Sequence, residues 1–77
     1  MPHVTIKLYS GKSEEQKTKL SEEVAKVLIS VLNCPDKAIS VDIQDIPATD
    51  WTDKVYKPEI LVNLDKLFKK PGYNPLE

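Results

Sequence analysis

The chain has little with which to cross-link itself, since it contains one cysteine, Cys34, and one histidine, His3. A single cysteine cannot form an internal disulfide, so no covalent bridge adds to the folding energy. One thiol and one imidazole are also too few ligands for a structural metal site within a protomer. We therefore expect no metal, and we expect Cys34 to be chemically inert.

Long apolar runs and clusters of positive charge are missing as well. No stretch is long enough to span a membrane, and the N-terminus lacks the charged-then-apolar pattern of a signal peptide. The 11 basic residues are spread along the chain, and the net charge is −1. Such dispersed charge does not indicate nucleic-acid binding. These absences predict a cytoplasmic protein with no membrane or nucleic-acid partner.

The chain is short, with 77 residues of which 40% are hydrophobic and 30% charged. This composition predicts one small globular domain, residues 1–77. A chain of this length buries only about 60% of its unfolded surface. Because disulfide and metal support are absent, oligomerisation is the remaining source of stability.

Two segments show the alternation of a β-strand, residues 2–8 and residues 38–46. Between them, Ser13-Glu14-Glu15-Gln16 has the pattern of a helix capping box. The residues that follow form an apolar stripe at spacings of three and four: Leu20, Val24, Val27, Leu28, Val31 and Leu32. Asn33 and Pro35 are expected to end this helix.

The C-terminal third predicts a second helix. Pro47 ends the second strand, and Asp50 is expected to cap a short turn containing Trp51. The second helix is predicted to run from Pro58 to Lys70, with proline in its first turn. Its apolar side consists of Ile60, Leu61, Leu64, Leu67 and Phe68.

The order of elements predicts an α/β (α+β) fold, a βαβ unit with parallel strands followed by a C-terminal helix. Two strands do not form a stable sheet alone, and an exposed sheet edge invites pairing. We expect two protomers to share a four-stranded sheet. A dimer is the simplest assembly that provides such a sheet.

Proline directly follows the initiator methionine. If Met1 is removed, Pro2 exposes a secondary amine in place of an amide. A free α-amine has a pKa of about 7.7–8.0, so burial or a nearby cation would make it a neutral base at physiological pH. The alternative is that Pro2 carries no function.

Together, these motifs resemble the 4-oxalocrotonate tautomerase family, the amino-terminal-proline tautomerases. The resemblance rests on Pro2 opening a strand, on the helix entry Gly11-Lys12-Ser13-Glu14-Glu15-Gln16-Lys17, and on the second strand from Ile39 to Ile43. Trp51 and the terminal Lys69-Lys70-Pro71-Gly72-Tyr73 are similar to the PptA-type branch. The resemblance implies a cofactor-independent keto–enol tautomerase with Pro2 as the general base.

The resemblance also implies three substrate-binding residues. Lys12 matches a position usually occupied by an arginine that holds a substrate carboxylate, and its alternative role is a solvated turn lysine. Ser40 falls where typical members place a second arginine, which argues against dicarboxylate substrates. Trp51 matches an aromatic wall of the pocket, and its alternative place is a dimer interface. The roles of His3, near the active face, and of Tyr73 stay open.

The function expected from these residues is an isomerase acting on 2-hydroxydienoate or arylpyruvate-like enols, with a small-molecule enol or keto acid as its partner. One alternative is a lyase, dehalogenase or hydratase with Pro2 as general acid, for which Asp42 is a candidate water-activating carboxylate. The other is a small oligomeric binding protein without catalysis.

Overall fold

A computed structural model describes residues 1–77, which divide into two compact units, Met1–Ile46 and Pro47–Glu77. The expectation of one domain over residues 1–77 remains a prediction. None of the helices combines the length and apolar composition needed to cross a bilayer.

The N-terminal unit is the predicted βαβ arrangement. Strand β1 spans His3–Tyr9, helix α1 spans Glu14–Leu32 and strand β2 spans Ser40–Ile46, with a short 3₁₀ turn at Asp36–Ala38 before β2. The strands pair in parallel, in a register that runs from His3 opposite Ser40 to Tyr9 opposite Ile46. The predicted bounds of both strands are therefore correct to within two residues.

The ends of α1 follow from local chemistry, as predicted. The Ser13 hydroxyl accepts a hydrogen bond from the backbone N–H of Gln16 at 3.0 Å, and the Gln16 side chain accepts one from the Ser13 N–H at 3.0 Å. This capping box satisfies two of the helix's unpaired N-terminal donors. Asn33 ends the helix in the left-handed region, with φ of 55°.

The two faces of the sheet differ in character. The apolar face, formed by Val4, Ile6, Leu8, Val41 and Ile43, is half-buried, and α1 lies against β2. The polar face is formed by His3, Thr5, Lys7, Ser40, Asp42 and Gln44, and all of these except the half-buried Lys7 are exposed. The alternation of each strand thus divides one sheet into a packing surface and an open polar surface.

An ion pair ties the start of α1 to the end of β2. The Lys17 ammonium lies 2.8 Å from an Asp45 carboxylate oxygen and 3.1 Å from one of Glu14. The hydrogen bond to Asp45, followed by the one to Glu14, raises the pKa of Lys17 above its usual value of 10.5. Lys17 therefore stays a cation at physiological pH and joins the two elements.

The helix of the C-terminal unit differs from the prediction. It is a π-helix spanning Thr52–Leu61, between 3₁₀ turns at Ala48–Asp50 and Leu64–Lys66. The expected bounds, Pro58 to Lys70, were wrong at both ends. Pro58 lies inside the helix, where an α-helical turn would place its ring against the carbonyl four residues earlier. The wider π turn relieves that clash.

Asn63 accounts for the early end of this helix. Its side-chain amide donates to the carbonyl of Glu59 at 3.1 Å, which occupies an acceptor that a continuing helix would use. As a result Phe68, predicted on the apolar side of the helix, is fully exposed. Asp50 makes no capping hydrogen bond, and its carboxylate instead pairs with Lys54 at 3.3 Å.

Very little of this chain is buried. Val55 and Tyr56, at 5% and 3% exposure, are its buried residues, and both belong to the C-terminal unit. The N-terminal unit has none, while Val27 and Val31 of α1 are 58% and 74% exposed. Apolar burial is the main favourable term in folding. The N-terminal unit therefore leaves unburied the surface that would normally stabilise it.

The capping box yields a stability prediction. Ser13→Ala removes the acceptor for the Gln16 N–H and should lower the free energy of unfolding by about 1 kcal/mol. Urea denaturation at a fixed protein concentration measures the change. Ser10→Ala, in the turn outside the capping box, is the matched control, and equal effects from the two variants would contradict the assignment.

Candidate active site

Pro2 is held against the second strand at the N-terminal end of the sheet. Its carbonyl accepts a hydrogen bond from the Ser40 N–H at 3.2 Å, which extends the strand pairing one residue beyond His3. Pro2 is half-buried, whereas Met1 is fully exposed. The carbonyl of Pro2 is therefore held beside the start of β2, and Met1, whose removal would free the Pro2 nitrogen, is exposed to solvent.

A side-chain network lies next to Pro2 on the polar face. The His3 Nδ1 atom is 2.6 Å from the Ser40 hydroxyl oxygen, and the His3 Nε2 atom is 3.4 Å from the Thr5 hydroxyl oxygen. The first is a short hydrogen bond, whereas the second exceeds the usual range. The structure thus brings together Pro2, Ser40 and His3, and it pairs Ser40 with the imidazole.

Asp42 lies further along the same face. It is exposed and stands opposite Thr5 in the register, as the alternation predicts. One of its carboxylate oxygens accepts a hydrogen bond from the Gln44 side-chain amide at 2.7 Å. A neutral amide therefore holds this carboxylate on the polar face.

Lys12 lies at the opposite end of β1 from Pro2. It is exposed and follows Gly11, whose φ of 119° suits the tight turn after the strand. Seven residues of strand at about 3.3 Å each put roughly 23 Å between Pro2 and the end of β1. The structure therefore does not bring Lys12 and Pro2 together within one chain.

The end of β1 carries a small cavity of its own. Its volume is about 130 Å³, and it is lined by Leu8, Lys12, Gln16, Lys17 and Leu20. Both lysines can contribute positive charge here, although Lys17 is already paired with Asp45 and Glu14. Lys12 is therefore the better placed of the two to meet an added anion.

Trp51 belongs to an aromatic cluster of the C-terminal unit, formed by Trp51, Tyr56 and Tyr73. The indole N–H of Trp51 donates to the Tyr73 hydroxyl at 2.8 Å, and the Tyr56 and Tyr73 rings lie 5.7 Å apart at 47°. This geometry is typical of favourable tilted aromatic pairs. The cluster ties the C-terminal tail to the π-helix, a role for Tyr73 that sequence reasoning missed.

The second feature that sequence reasoning missed is the bond between His3 and Ser40. Parity alone places both residues on one face, but their contact depends on the register between strands distant in sequence. No three thiol, imidazole or carboxylate side chains converge in the way that metal ligands do.

Comparison with known proteins agrees with this arrangement. A family model for tautomerase enzymes matches residues 2–54. Tautomerase PptA of Enterobacter sp. is 41% identical over 75 residues, which cover 96% of this chain and 99% of that protein. A probable tautomerase of Xylella fastidiosa is 37% identical over 76 residues, covering 99% and 93% respectively. Both relatives extend through the C-terminal unit, beyond the end of the family match.

A solved structure also shares the fold. The heterohexameric 4-oxalocrotonate tautomerase of Chloroflexus aurantiacus is 27% identical with a TM-score of 0.64, over 66% of this chain and 82% of that one. These comparisons identify the strand, capped helix and parallel strand as a tautomerase fold. The chain belongs to the 4-oxalocrotonate tautomerase family, in its PptA-type branch, and is an enzyme of the isomerase class.

The aromatic cluster yields a second prediction. Tyr73→Phe removes the acceptor of the Trp51 indole, so the free energy of unfolding should fall by about 0.5–1.5 kcal/mol. Because Trp51 is the single tryptophan, its fluorescence reports this site directly, and the emission should change in the folded variant. Tyr9→Phe, in the N-terminal unit, is the control. An unchanged emission from Tyr73→Phe would mean that the bond is not formed in solution.

Proposed function

We propose that this protein is a cofactor-independent keto–enol tautomerase in which Pro2, freed by removal of Met1, is the general base. The position of Pro2 carries this proposal, because the hydrogen bond from the Ser40 N–H to its carbonyl places Pro2 at the N-terminal end of the sheet. Membership of the tautomerase family supports it. Residues 1–77 would then act as one tautomerase domain.

The chemistry requires a group that is neutral before the transfer and cationic after it. The Pro2 amine takes the proton of the enol hydroxyl, or of an α-carbon, and becomes an ammonium. The electron pair of the O–H bond forms the carbonyl. The electron pair of the carbon–carbon double bond, directly or through a conjugated double bond, forms the new C–H bond with the proton that the ammonium returns. An α-amine with a pKa of about 7.7–8.0 lies close to working pH, where such a base is most efficient.

The charge distribution favours a substrate with one carboxylate. The chain contains no arginine, so no side chain offers the bidentate fork that pairs with a carboxylate. Ser40 supplies a hydroxyl on the polar face, and Lys12 supplies an exposed ammonium. We therefore propose arylpyruvate-like enols or 2-hydroxydienoates as substrates, with Trp51 as an apolar wall.

The separation of Pro2 and Lys12 points to a site completed by a second copy of the chain. Across a two-fold axis perpendicular to the sheet, edge strands pair antiparallel, so the start of one β1 faces the end of its partner. Pairing through β1 brings Lys12 of one protomer toward Pro2 of the other. Pairing through β2 would instead leave the β1 strands of the two protomers about 14 Å apart, a distance of three strand spacings.

The same assembly would complete the core. A dimer with a four-stranded sheet pairs the open edge of β1 and offers cover for the exposed Val27 and Val31 of α1. We favour a dimer over a hexamer because the π-helix and tail occupy the C-terminal region, where typical hexameric members have a linking hairpin. The Chloroflexus relative is a heterohexamer, a larger assembly than the dimer proposed for this chain.

Asp42 supports one alternative reaction. Its carboxylate lies on the same face as His3 and Ser40, where it would be available to activate water for a hydratase or lyase with Pro2 as general acid. Its hydrogen bond from Gln44 would orient it. The binding-protein alternative is disfavoured, since the relatives are enzymes.

The proposed base is tested by its N-terminus. An uncleaved N-terminal tag converts the Pro2 nitrogen to an amide, and should lower kcat/KM for phenylpyruvate enol by at least about 10²-fold, the usual contribution of general acid–base catalysis. Pro2→Ala keeps a primary amine and should retain intermediate activity. The same tag at the C-terminus is the control. If the N-terminally tagged protein, verified by intact mass, is as fast as the processed one, Pro2 is not the base.

The shared site is tested by mixing two defective chains. Lys12→Ala should raise KM for carboxylate substrates. The Lys12→Ala chain and the N-terminally tagged chain are then mixed, dissociated and allowed to reassociate at random. About one quarter of the wild-type number of sites should be intact, because half of the dimers are mixed and each mixed dimer holds one complete site.

Sedimentation at micromolar concentration establishes that the mixed species are dimers. Lys37→Ala, which removes another exposed lysine, is the control for loss of charge. If each chain used its own Lys12, mixed dimers would hold no complete site, and mixing would restore nothing.

A further inference from the structure

The one histidine of the chain stands between two hydroxyl groups beside the proposed base. Its Nδ1 atom makes the short 2.6 Å bond to Ser40, and its Nε2 atom lies 3.4 Å from Thr5. His3 and Ser40 are both exposed and directly opposite in the strand register. The imidazole is therefore held firmly at one nitrogen and loosely at the other.

The loosely held nitrogen is free to meet a ligand. A distance of 3.4 Å is beyond the usual range for such a bond, so a better-placed oxygen can displace Thr5. Whichever partner donates between Ser40 and Nδ1, the bond restricts rotation of the ring and couples its tautomer to the serine hydroxyl. Ser40 thus acts as a positioning residue for His3.

His3 is the residue that directly follows the proposed base in the chain. No peptide bond of the chain is cis, so the Cα atoms of Pro2 and His3 are about 3.8 Å apart. The carbonyl of Pro2 and the side chain of His3 are both anchored to one residue, Ser40. The backbone of Pro2 and the imidazole of His3 are thereby both tied to Ser40 at one end of the sheet.

We infer that His3 is the second acid–base residue of the site and acts on the substrate oxygen while Pro2 acts on carbon. This rests on the proposed function. In ketonisation, neutral Nε2, in place of the Pro2 amine, takes the proton of the enol hydroxyl, and the O–H electron pair forms the carbonyl. The carbon–carbon double bond then takes a proton from the Pro2 ammonium. The products are the ketone, a neutral amine and an imidazolium.

Protons are also conserved when the enzyme returns to its starting state and when the reaction runs in reverse. The imidazolium returns its proton to the Pro2 amine through solvent, which reaches the exposed His3, so no net proton is gained or lost. In enolisation the imidazolium donates to the carbonyl oxygen while the amine removes the α-proton. Two groups serve the oxygen and carbon positions at once, so a single amine need not move between them.

The competing explanation is that the pair is structural. A cross-strand polar pair adds roughly 0.2–1 kcal/mol to sheet stability and requires no chemistry. This role would leave kcat unchanged when stability is preserved. The experiment therefore needs a measurement that a structural role would not move.

Chemical rescue provides that measurement. His3→Ala should lower kcat for phenylpyruvate enol by at least about 10²-fold, and added imidazole should restore part of it, because the vacated position is exposed and accepts a small base. Ser40→Ala should reduce kcat by about 10-fold, and Ser40→Thr, which keeps the hydroxyl, should retain activity. Gln44→Ala, which breaks the other hydrogen-bonded pair on this face, should be neither slowed nor helped by imidazole.

The outcomes separate this inference from the proposed function. If His3→Ala keeps the wild-type kcat, or if imidazole does not restore the activity that it loses, His3 does not have this role. The role of Pro2 stands in that case as long as the N-terminal tag still lowers kcat/KM. A processed wild-type protein without tautomerase activity overturns both. Rescue confined to His3→Ala, with unchanged KM and an unfolding free energy close to wild type, supports the inference.

Discussion

The parallel pairing of β1 with β2 is the interaction on which the other features depend. Its register joins strands far apart in sequence and places Ser40 opposite His3 and Asp42 opposite Thr5. A shift by one residue would turn the polar residues toward α1 and the apolar ones outward. The pairing therefore fixes the packing of the helix, the position of Pro2 and the composition of the polar face together.

A two-stranded sheet with one helix is also the source of the chain's main deficiency. The helix covers one face only, one long edge of each strand stays unpaired, and no residue of the N-terminal unit is fully buried. A second copy of the chain placed along the β1 edge would both complete the core and bring a Lys12 close to Pro2. Stability and catalysis would then share a single interface, so a change that weakens the dimer would also disrupt the site.

The sequence predicted those elements whose causes are local. The capping box at Ser13, the stop at Asn33 and the two alternating strands depend on neighbouring residues, and their bounds were close to correct. The C-terminal helix was misplaced because Pro58 was interpreted as a helix start, whereas a π-helix accommodates it internally. Within the site, the positions of Pro2, Ser40 and Asp42 followed from alternation. The His3–Ser40 bond did not, since contact between strands depends on a register that alternation leaves undetermined.

Because the chain has no arginine, the polar contacts of Ser40 and His3 are important for orienting a substrate. All 11 basic residues are lysines, whose ammonium groups act as point charges and do not impose an orientation on a carboxylate. Orientation must then come from groups with directional bonds that are fixed in place. Ser40 and His3 provide such a group at the end of the sheet where Pro2 lies, because the hydroxyl is set by the strand and the imidazole by the hydroxyl. A small enol attracted by lysine charge would be aligned for proton transfer by Ser40 and His3.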